Sequence, residues 1–224
     1  MKSIDLIVFD LDGTLVDSAP DIMVAANKML AGEGVAPLDL ATITSFIGNG
    51  LPKLVERVMR ARGLAPSQFE RLHDEVKDFY NAAPADESAP MPGVVALLEK
   101  LKADGHRLGV CTNKPEQPAR RLLDLLKLAP FFETVVGGDS LPEKKPHPAP
   151  LNLAFEQLGA GARLYVGDSE VDAGVALAAG VRFAIYAQGY RKQAIESLAH
   201  DFRFDHFEEL APIIAALPAT ETAA

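Results

Sequence analysis

Five short apolar runs, at residues 6–9, 108–111, 134–136, 164–166 and 183–186, lack the polar alternation of a half-exposed strand. Strands of that kind are covered on both faces, the condition of a parallel sheet flanked by helices. Helical stripes lie between the later runs. Val94, Leu97, Leu98 and Leu101 lead into Gly105, a carboxyl-terminal stop, and Leu122, Leu123 and Leu126 form a second stripe. Leu151, Ala154, Phe155 and Leu158 form a third, ending at Gly159. Strand–helix alternation of this sort predicts an open, Rossmann-like α/β sheet with right-handed crossovers.

One segment breaks the alternation. Residues 18–90 contain no convincing strand but repeat helical spacing three times. Ile22, Ala25, Ala26, Met29 and Leu30 form the first stripe, and Leu51, Leu54, Val55, Val58 and Met59 the second, stopping at Gly63. Phe69, Leu72, Val76, Phe79 and Tyr80 form the third. Ser18 with Asp21 three residues later fits a capping box. The expected organisation is an α/β core of residues 1–17 and 91–224, with a small helical domain of residues 18–90 inserted after the first strand. Residues 82–92, rich in proline and alanine, would be the return linker.

Composition narrows the functions. A net charge of −9 argues against non-specific nucleic-acid binding, which needs a basic surface. The single cysteine, Cys111, forms no internal disulfide and suits a reducing cytoplasm. No apolar stretch reaches the length of a membrane span, the amino terminus lacks a signal-peptide pattern, and the tail from Pro218 is expected to fray.

The chemistry-bearing residues follow the predicted strands, where ligands bind in open α/β sheets. Asp10, Asp12, Gly13 and Thr14 follow the first; Thr112, Asn113 and Lys114 follow the second. Lys144, Lys145, Pro146, His147 and Pro148 lie beyond the third, and Gly167, Asp168, Ser169 and Asp172 follow the fourth. Residues two apart on a strand share a side, so Asp10 and Asp12 should emerge together while Leu11 turns into the core. Two such carboxylates repel unless a cation or shared proton intervenes, which points to a metal-assisted phosphate site. Each cluster taken alone also fits a turn, a helix cap or a solvated charge; all four on one sheet edge make coincidence the poorer explanation.

The runs Asp10-Leu11-Asp12-Gly13-Thr14-Leu15-Val16-Asp17-Ser18, Thr112-Asn113-Lys114, Lys145-Pro146 and Gly167-Asp168-Ser169 with Asp172 resemble the four motifs of the haloacid dehalogenase superfamily. The helical insertion resembles that superfamily's cap domain. Ile47-Gly48-Asn49-Gly50-Leu51, Gly137-Gly138-Asp139 and the Lys144–Pro148 run look like those of phosphoglycolate phosphatases. The resemblance implies Asp10 as nucleophile and Asp12 as general acid, then general base. It implies Mg²⁺ held by the Asp10 carboxylate, the Asp12 backbone carbonyl and the Asp168 carboxylate, with Asp172 orienting this shell. Thr112 and the Asn113 backbone would hold phosphoryl oxygens, and Lys145 would offset charge, leaving Lys144 on the surface.

Gly48, Asn49 and Gly50 either present amides to a substrate carboxylate or form a plain loop before the helix at Leu51. Lys53 and Arg57 either reach an anion or line the wet side of that helix. His147 is read as structural, Cys111 as a buried inert thiol, and Gly189-Tyr190-Arg191-Lys192 as outside the site. The implied reaction is hydrolysis of a small phosphorylated metabolite, 2-phosphoglycolate first, by a monomer or homodimer without nucleic-acid or membrane partners. Other enzymatic readings are a sugar-phosphate phosphatase or a β-phosphoglucomutase-like mutase, which would need a bisphosphate activator. A phosphonate hydrolase would need a Schiff-base lysine, for which Lys53 is the candidate. A non-catalytic binding protein would not need the complete acid and lysine set.

Overall fold

The computed structural model describes residues 4–83 and 85–217, so the tail from Pro218 lies outside the described residues. The chain begins with β1 (Leu6–Phe9) and β2 (Val16–Asp17), then α1 (Ala19–Gly32), α2 (Leu40–Thr44), α3 (Leu51–Arg62) and α4 (Phe69–Ala82). It returns through β3 (Ala89–Pro90) to α5 (Val94–Ala103), β4 (Arg107–Cys111), α6 (Glu116–Leu125) and β5 (Thr134–Val136). It then continues through α7 (Ala149–Leu158), β6 (Arg163–Gly167), α8 (Glu170–Ala179), β7 (Arg182–Tyr186), β8 (Phe202–Phe204) and α9 (Leu210–Ala216).

Six strands form one parallel sheet in the order β5-β4-β1-β6-β7-β8. All five predicted strands are in it. The apolar runs do alternate, but between two buried faces. Ile7 and Phe9 pack with Leu98, Leu122 and Leu210 on one side, while Leu6 and Val8 pack with Leu151, Phe155 and Val175 on the other. Each large apolar side chain so buried contributes about 1.5–3 kcal/mol. Strand β8 escaped the sequence reading because it is short and lies at the sheet edge, with Phe204 buried and Arg203 exposed. The strand order reverses at β1, which lies between β4 and β6, and such a switch point opens a crevice at the carboxyl edge.

Helices α1, α3 and α4 bury their own apolar cluster, including Ala26, Met29, Val55, Val58, Leu72 and Val76. Helix α3 stops at Gly63, whose φ of 68° is the left-handed conformation that ends helices. Phe79, counted in the α4 stripe, is 37% exposed.

The chain leaves and re-enters the α/β layer side by side, β2 pairing antiparallel with β3. Here the capping-box expectation is corrected. Ser18 Oγ donates to Asp12 Oδ1 at 2.5 Å, and Asp21 turns away from its own helix start. Its carboxylate accepts the Glu87 amide at 3.0 Å, the Ser88 amide at 2.8 Å and the Ser88 hydroxyl at 2.5 Å. An acid with three better donors across the chain does not serve a local cap. Asp21→Ala, which leaves the buried Ser88 donors unpaired, is expected to cost about 3 kcal/mol in urea unfolding.

Candidate active site

The sheet ladder places the two leading acids. The Asp10 amide donates to Val166 O at 2.8 Å, one residue past β1, so its carboxylate emerges at the carboxyl edge. Leu11 is buried in the core, as the strand parity predicts. The Thr112 amide donates to Val136 O at 3.0 Å and extends β4 in the same way. The Thr112 hydroxyl accepts the Lys114 amide at 3.1 Å, and its own proton has no acceptor among the described residues.

Asn113 is a clamp. Its side-chain oxygen accepts the Lys145 amide at 3.0 Å, and its side-chain nitrogen donates to Lys145 O at 3.1 Å. So gripped, Lys145 sends its ammonium 2.8 Å from Asp10 Oδ1 and 2.8 Å from Asp172 Oδ1, and donates to Tyr165 Oη at 2.9 Å. All three ammonium protons are thereby used. Lys144, its neighbour, is exposed.

Asp10, Asp168 and Asp172 offer ligand atoms within 4.8 Å of one another, an all-oxygen set suited to a hard divalent cation. Their hydrogen bonds separate their roles. Asp172 Oδ1 accepts Lys145 and the Tyr165 hydroxyl; its Oδ2 accepts the Ser169 hydroxyl and the Ser169 and Asp168 amides. That occupies the lone pairs of a carboxylate. Asp168 accepts one donor on each oxygen, the Thr14 hydroxyl at 2.7 Å and the Tyr190 amide at 2.5 Å. Asp10 Oδ2 carries no hydrogen bond among the described residues. Asp10 and Asp168 therefore retain coordinating capacity, and Asp172 is spent on orientation.

The electrostatics agree. Burial, reinforced by the Asp172 carboxylate, pushes Asp10 up to about 7 despite Lys145. Burial, Asp172 and Asp10 raise Asp168 well above the usual carboxylate range. Burial alone would raise Asp172 too, but Lys145, Ser169 and Tyr165 hold it below. Three acids with one lysine among them are short of positive charge, which a divalent cation at Asp10 and Asp168 would supply.

Asp12 belongs to a separate network. Its Oδ1 accepts Lys114 Nζ at 2.6 Å and Ser18 Oγ at 2.5 Å. Lys114 is buried, and although burial works against its charge, the Asp12 carboxylate holds it ionised. Lys114 was grouped with Thr112 and Asn113 in the sequence but given no place in the site; its position on the same loop was the available signal.

The glycines here leave no room. Gly13 has φ 87°, and a β-carbon there would lie 2.6 Å from Asp168 Oδ2. At Gly189 a β-carbon would lie 2.2 Å from that of Asp168. The exclusion of Gly189–Lys192 from the site is thus corrected. Besides its amide on Asp168, Tyr190 sends its hydroxyl to Asp17 Oδ1 at 2.5 Å and accepts the Ala19 amide at 3.1 Å. It joins Asp168 to the start of α1. Lys192 Nζ donates to Ile47 O at 2.7 Å.

The Gly48–Gly50 loop meets the sheet edge through a carbonyl: Asn113 Nδ2 donates to Gly48 O at 3.1 Å. Arg57 holds this loop from within, donating to Phe46 O at 2.6 Å and Asn49 Oδ1 at 2.8 Å. Lys53 faces solvent beside Glu56. His147 Nδ1 accepts the Ala149 amide at 3.2 Å, and burial pushes the Cys111 thiol up to about 12, so neither is poised for chemistry. A cavity of about 450 Å³ lies between the sheet edge and the helices, lined by Asp10, Asp12, Thr112 and Lys145 on one side and Ile22, Leu54 and Tyr80 on the other.

A sequence profile of the haloacid dehalogenase-like hydrolases matches residues 7–186, and the chain belongs to that family. It is 49% identical over 213 residues to a phosphoglycolate phosphatase of Cereibacter sphaeroides, covering 94% of this chain and 98% of that one. A crystal structure described as a predicted phosphoglycolate phosphatase from Haemophilus somnus superposes with a TM-score of 0.90 at 32% identity, over 95% of this chain and 99% of that one. The structure of CbbY from Rhodobacter sphaeroides in complex with phosphate superposes at 0.76 with 26% identity, over 92% and 96%. The enzyme is thus a hydrolase similar to phosphoglycolate phosphatases. No helix among the described residues is long and apolar enough to cross a membrane.

Proposed function

We propose that this hydrolase is a Mg²⁺-dependent phosphomonoesterase that converts 2-phosphoglycolate to glycolate and phosphate in the cytoplasm. The observation that carries the mechanism is the division of the two leading acids: Asp10 stands in the metal-capable triad beside Lys145, whereas Asp12 stands outside it with Lys114 and Ser18. In this reading Asp10 attacks phosphorus and Asp12 moves protons. The substrate rests on the relatives named phosphoglycolate phosphatase.

In the first displacement an Asp10 oxygen bonds to phosphorus, the ester P–O bond breaks, and Asp12 gives its proton to the departing glycolate oxygen. In the second, Asp12 takes a proton from water, the water oxygen bonds to phosphorus, and the aspartyl–phosphate P–O bond breaks. Thr112 donates its free hydroxyl proton to a phosphoryl oxygen, the Asn113 backbone holds another, and Lys145 neutralises the nucleophile. Asp10, Asp168 and the Asp12 carbonyl would hold Mg²⁺, which when bound offsets phosphoryl charge. Residues 18–90, a cap whose Gly48–Gly50 loop docks on Asn113, would exclude water from the cavity.

The raised pKa of Asp10 gives a pH signature. A group that binds its proton more tightly when folded, at about 7 against 3.8, loses its stabilising effect as pH rises through that window. The cation-free protein should therefore weaken as pH rises from about 4 to 7. The same proton competes with the cation, so Mg²⁺ affinity should rise with pH over this range. Calorimetry at about pH 6 in buffers of different ionisation enthalpy should read proton release on binding.

A sugar phosphate is the second reading, favoured by the roomy cavity and by CbbY, whose D10N mutant is described in complex with xylulose-1,5-bisphosphate. A panel of phosphomonoesters compared by kcat/KM decides between them. The proposal expects 2-phosphoglycolate to lead, and preference for a sugar phosphate would overturn the substrate while leaving the chemistry.

A further inference from the structure

The loop after β7 touches both parts of the chain. The Tyr190 amide binds Asp168, and its hydroxyl bridges Asp17, the last residue of β2, and Ala19, the first of α1. Its ring packs against the sheet cluster and the helical cluster alike. Two residues further on, Glu170 grips the base of Lys192. The Glu170 carboxylate accepts the Lys192 amide at 3.2 Å and lies 3.8 Å from the ammonium. From that base the ammonium crosses to the helical domain and donates to Ile47 O at 2.7 Å. The next carbonyl along, that of Gly48, is the one held by Asn113. Two successive carbonyls of one loop are thus taken by donors that follow β4 and β7, on either side of β1 and Asp10. Arg57 steadies the same loop from its own domain, at Phe46 O and Asn49 Oδ1.

We propose that Lys192 is a positioning residue, a clasp that holds the loop around Gly48 down over the site. The inference rests on the proposed reading of residues 18–90 as a closing cap. Lys192 stands on the core and Ile47 on the cap, so their bond exists only while the cap is down. With the cap raised, the ammonium returns to water and to Glu170. The bond therefore stabilises the closed state alone and shifts the closing equilibrium. The core and the cap each bury their own apolar cluster, so neither depends on this bond to fold. Because the clasp ends on a backbone carbonyl, the side chain at position 47 takes no part in it. A hydrogen bond from a charged donor is stronger than a neutral one, and this one should bias closure about tenfold.

The test places a fluorescent donor and acceptor on the full-length enzyme at two exposed positions, Leu40→Cys on α2 and Leu177→Cys on α8. Cys111 is buried and stays unlabelled. Mg²⁺ with inorganic phosphate serves as the closing ligand, so the outcome does not depend on the identity of the ester. With Lys192 in place, the ligand should gather the labels into a single distance population. In Lys192→Met a second, more open population should persist, and the dissociation constant for phosphate should rise about tenfold. Lys192→Arg, which keeps a charged donor, should restore both. Mg²⁺ affinity measured without phosphate should not weaken in Lys192→Met, because Asp10 and Asp168 keep their own partners. A Lys192→Met protein that closes and binds phosphate as well as its parent would overturn the clasp. Weakened Mg²⁺ affinity would overturn it too, by placing the defect at Asp168. If the labels on the parent protein keep one distance with and without the ligand, the reading of a closing cap falls, a result distinct from the other two.

Discussion

Asp10→Asn should abolish phosphate release, by at least about a thousandfold, and leave the chain folded. The amide is nearly the shape of the carboxylate, so packing around this buried side chain survives while the attacking oxygen loses its charge. The fold should tolerate the change well. In the wild type, burial and Asp172 already work against the charged form of Asp10, and Lys145 keeps its contacts to Asp172 and Tyr165 when Asp10 is neutral. Phosphate release and thermal melting, measured on the same preparation, check both halves. Turnover at the wild-type rate would contradict the nucleophile; collapse of the fold would contradict the account of the local electrostatics.

Lys145→Met should do the opposite to stability. Among the described residues it removes the cation bonded to both Asp10 and Asp172, and it leaves the buried Asp172 carboxylate, with whatever charge Asp10 retains, uncompensated. Breaking a buried pair by removing one partner costs about 3–5 kcal/mol. A loss of that size should appear in urea unfolding near neutral pH. Acidification should shrink it, because protonating either carboxylate removes the charge that lacks a partner. Adding Asp172→Asn should return part of the lost stability for the same reason. A Lys145→Met variant as stable as wild type would show that the lysine is not the counter-charge of the site.

The parallel core was legible because strands buried on both faces leave unbroken apolar runs, and because β1, β4, β5, β6 and β7 are each bounded by turn residues or helix starts. The first acids were legible for a related reason: they follow those strands directly, so strand parity fixes which way they emerge. Ser18 and Asp21 were misread because a local spacing rule knows nothing of Asp12 or Ser88, whose donors and acceptors come from elsewhere in the chain. Tyr190 was named in the sequence but set outside the site, because its three contacts are to residues more than twenty positions away. Tyr80 was legible in part: it falls in an amphipathic stripe and packs with the helical cluster as that pattern predicts, but it also lines the cavity, which helical spacing does not show.

The most direct test of the account asks where the phosphoryl group goes. The enzyme is mixed with Mg²⁺ and 2-phosphoglycolate radiolabelled at phosphorus, quenched in acid during turnover, digested and mapped. The expected result is an acid-stable, hydroxylamine-sensitive label on the peptide containing Asp10, absent from Asp10→Asn. Turnover without any such label, or a label on a different residue, would contradict it.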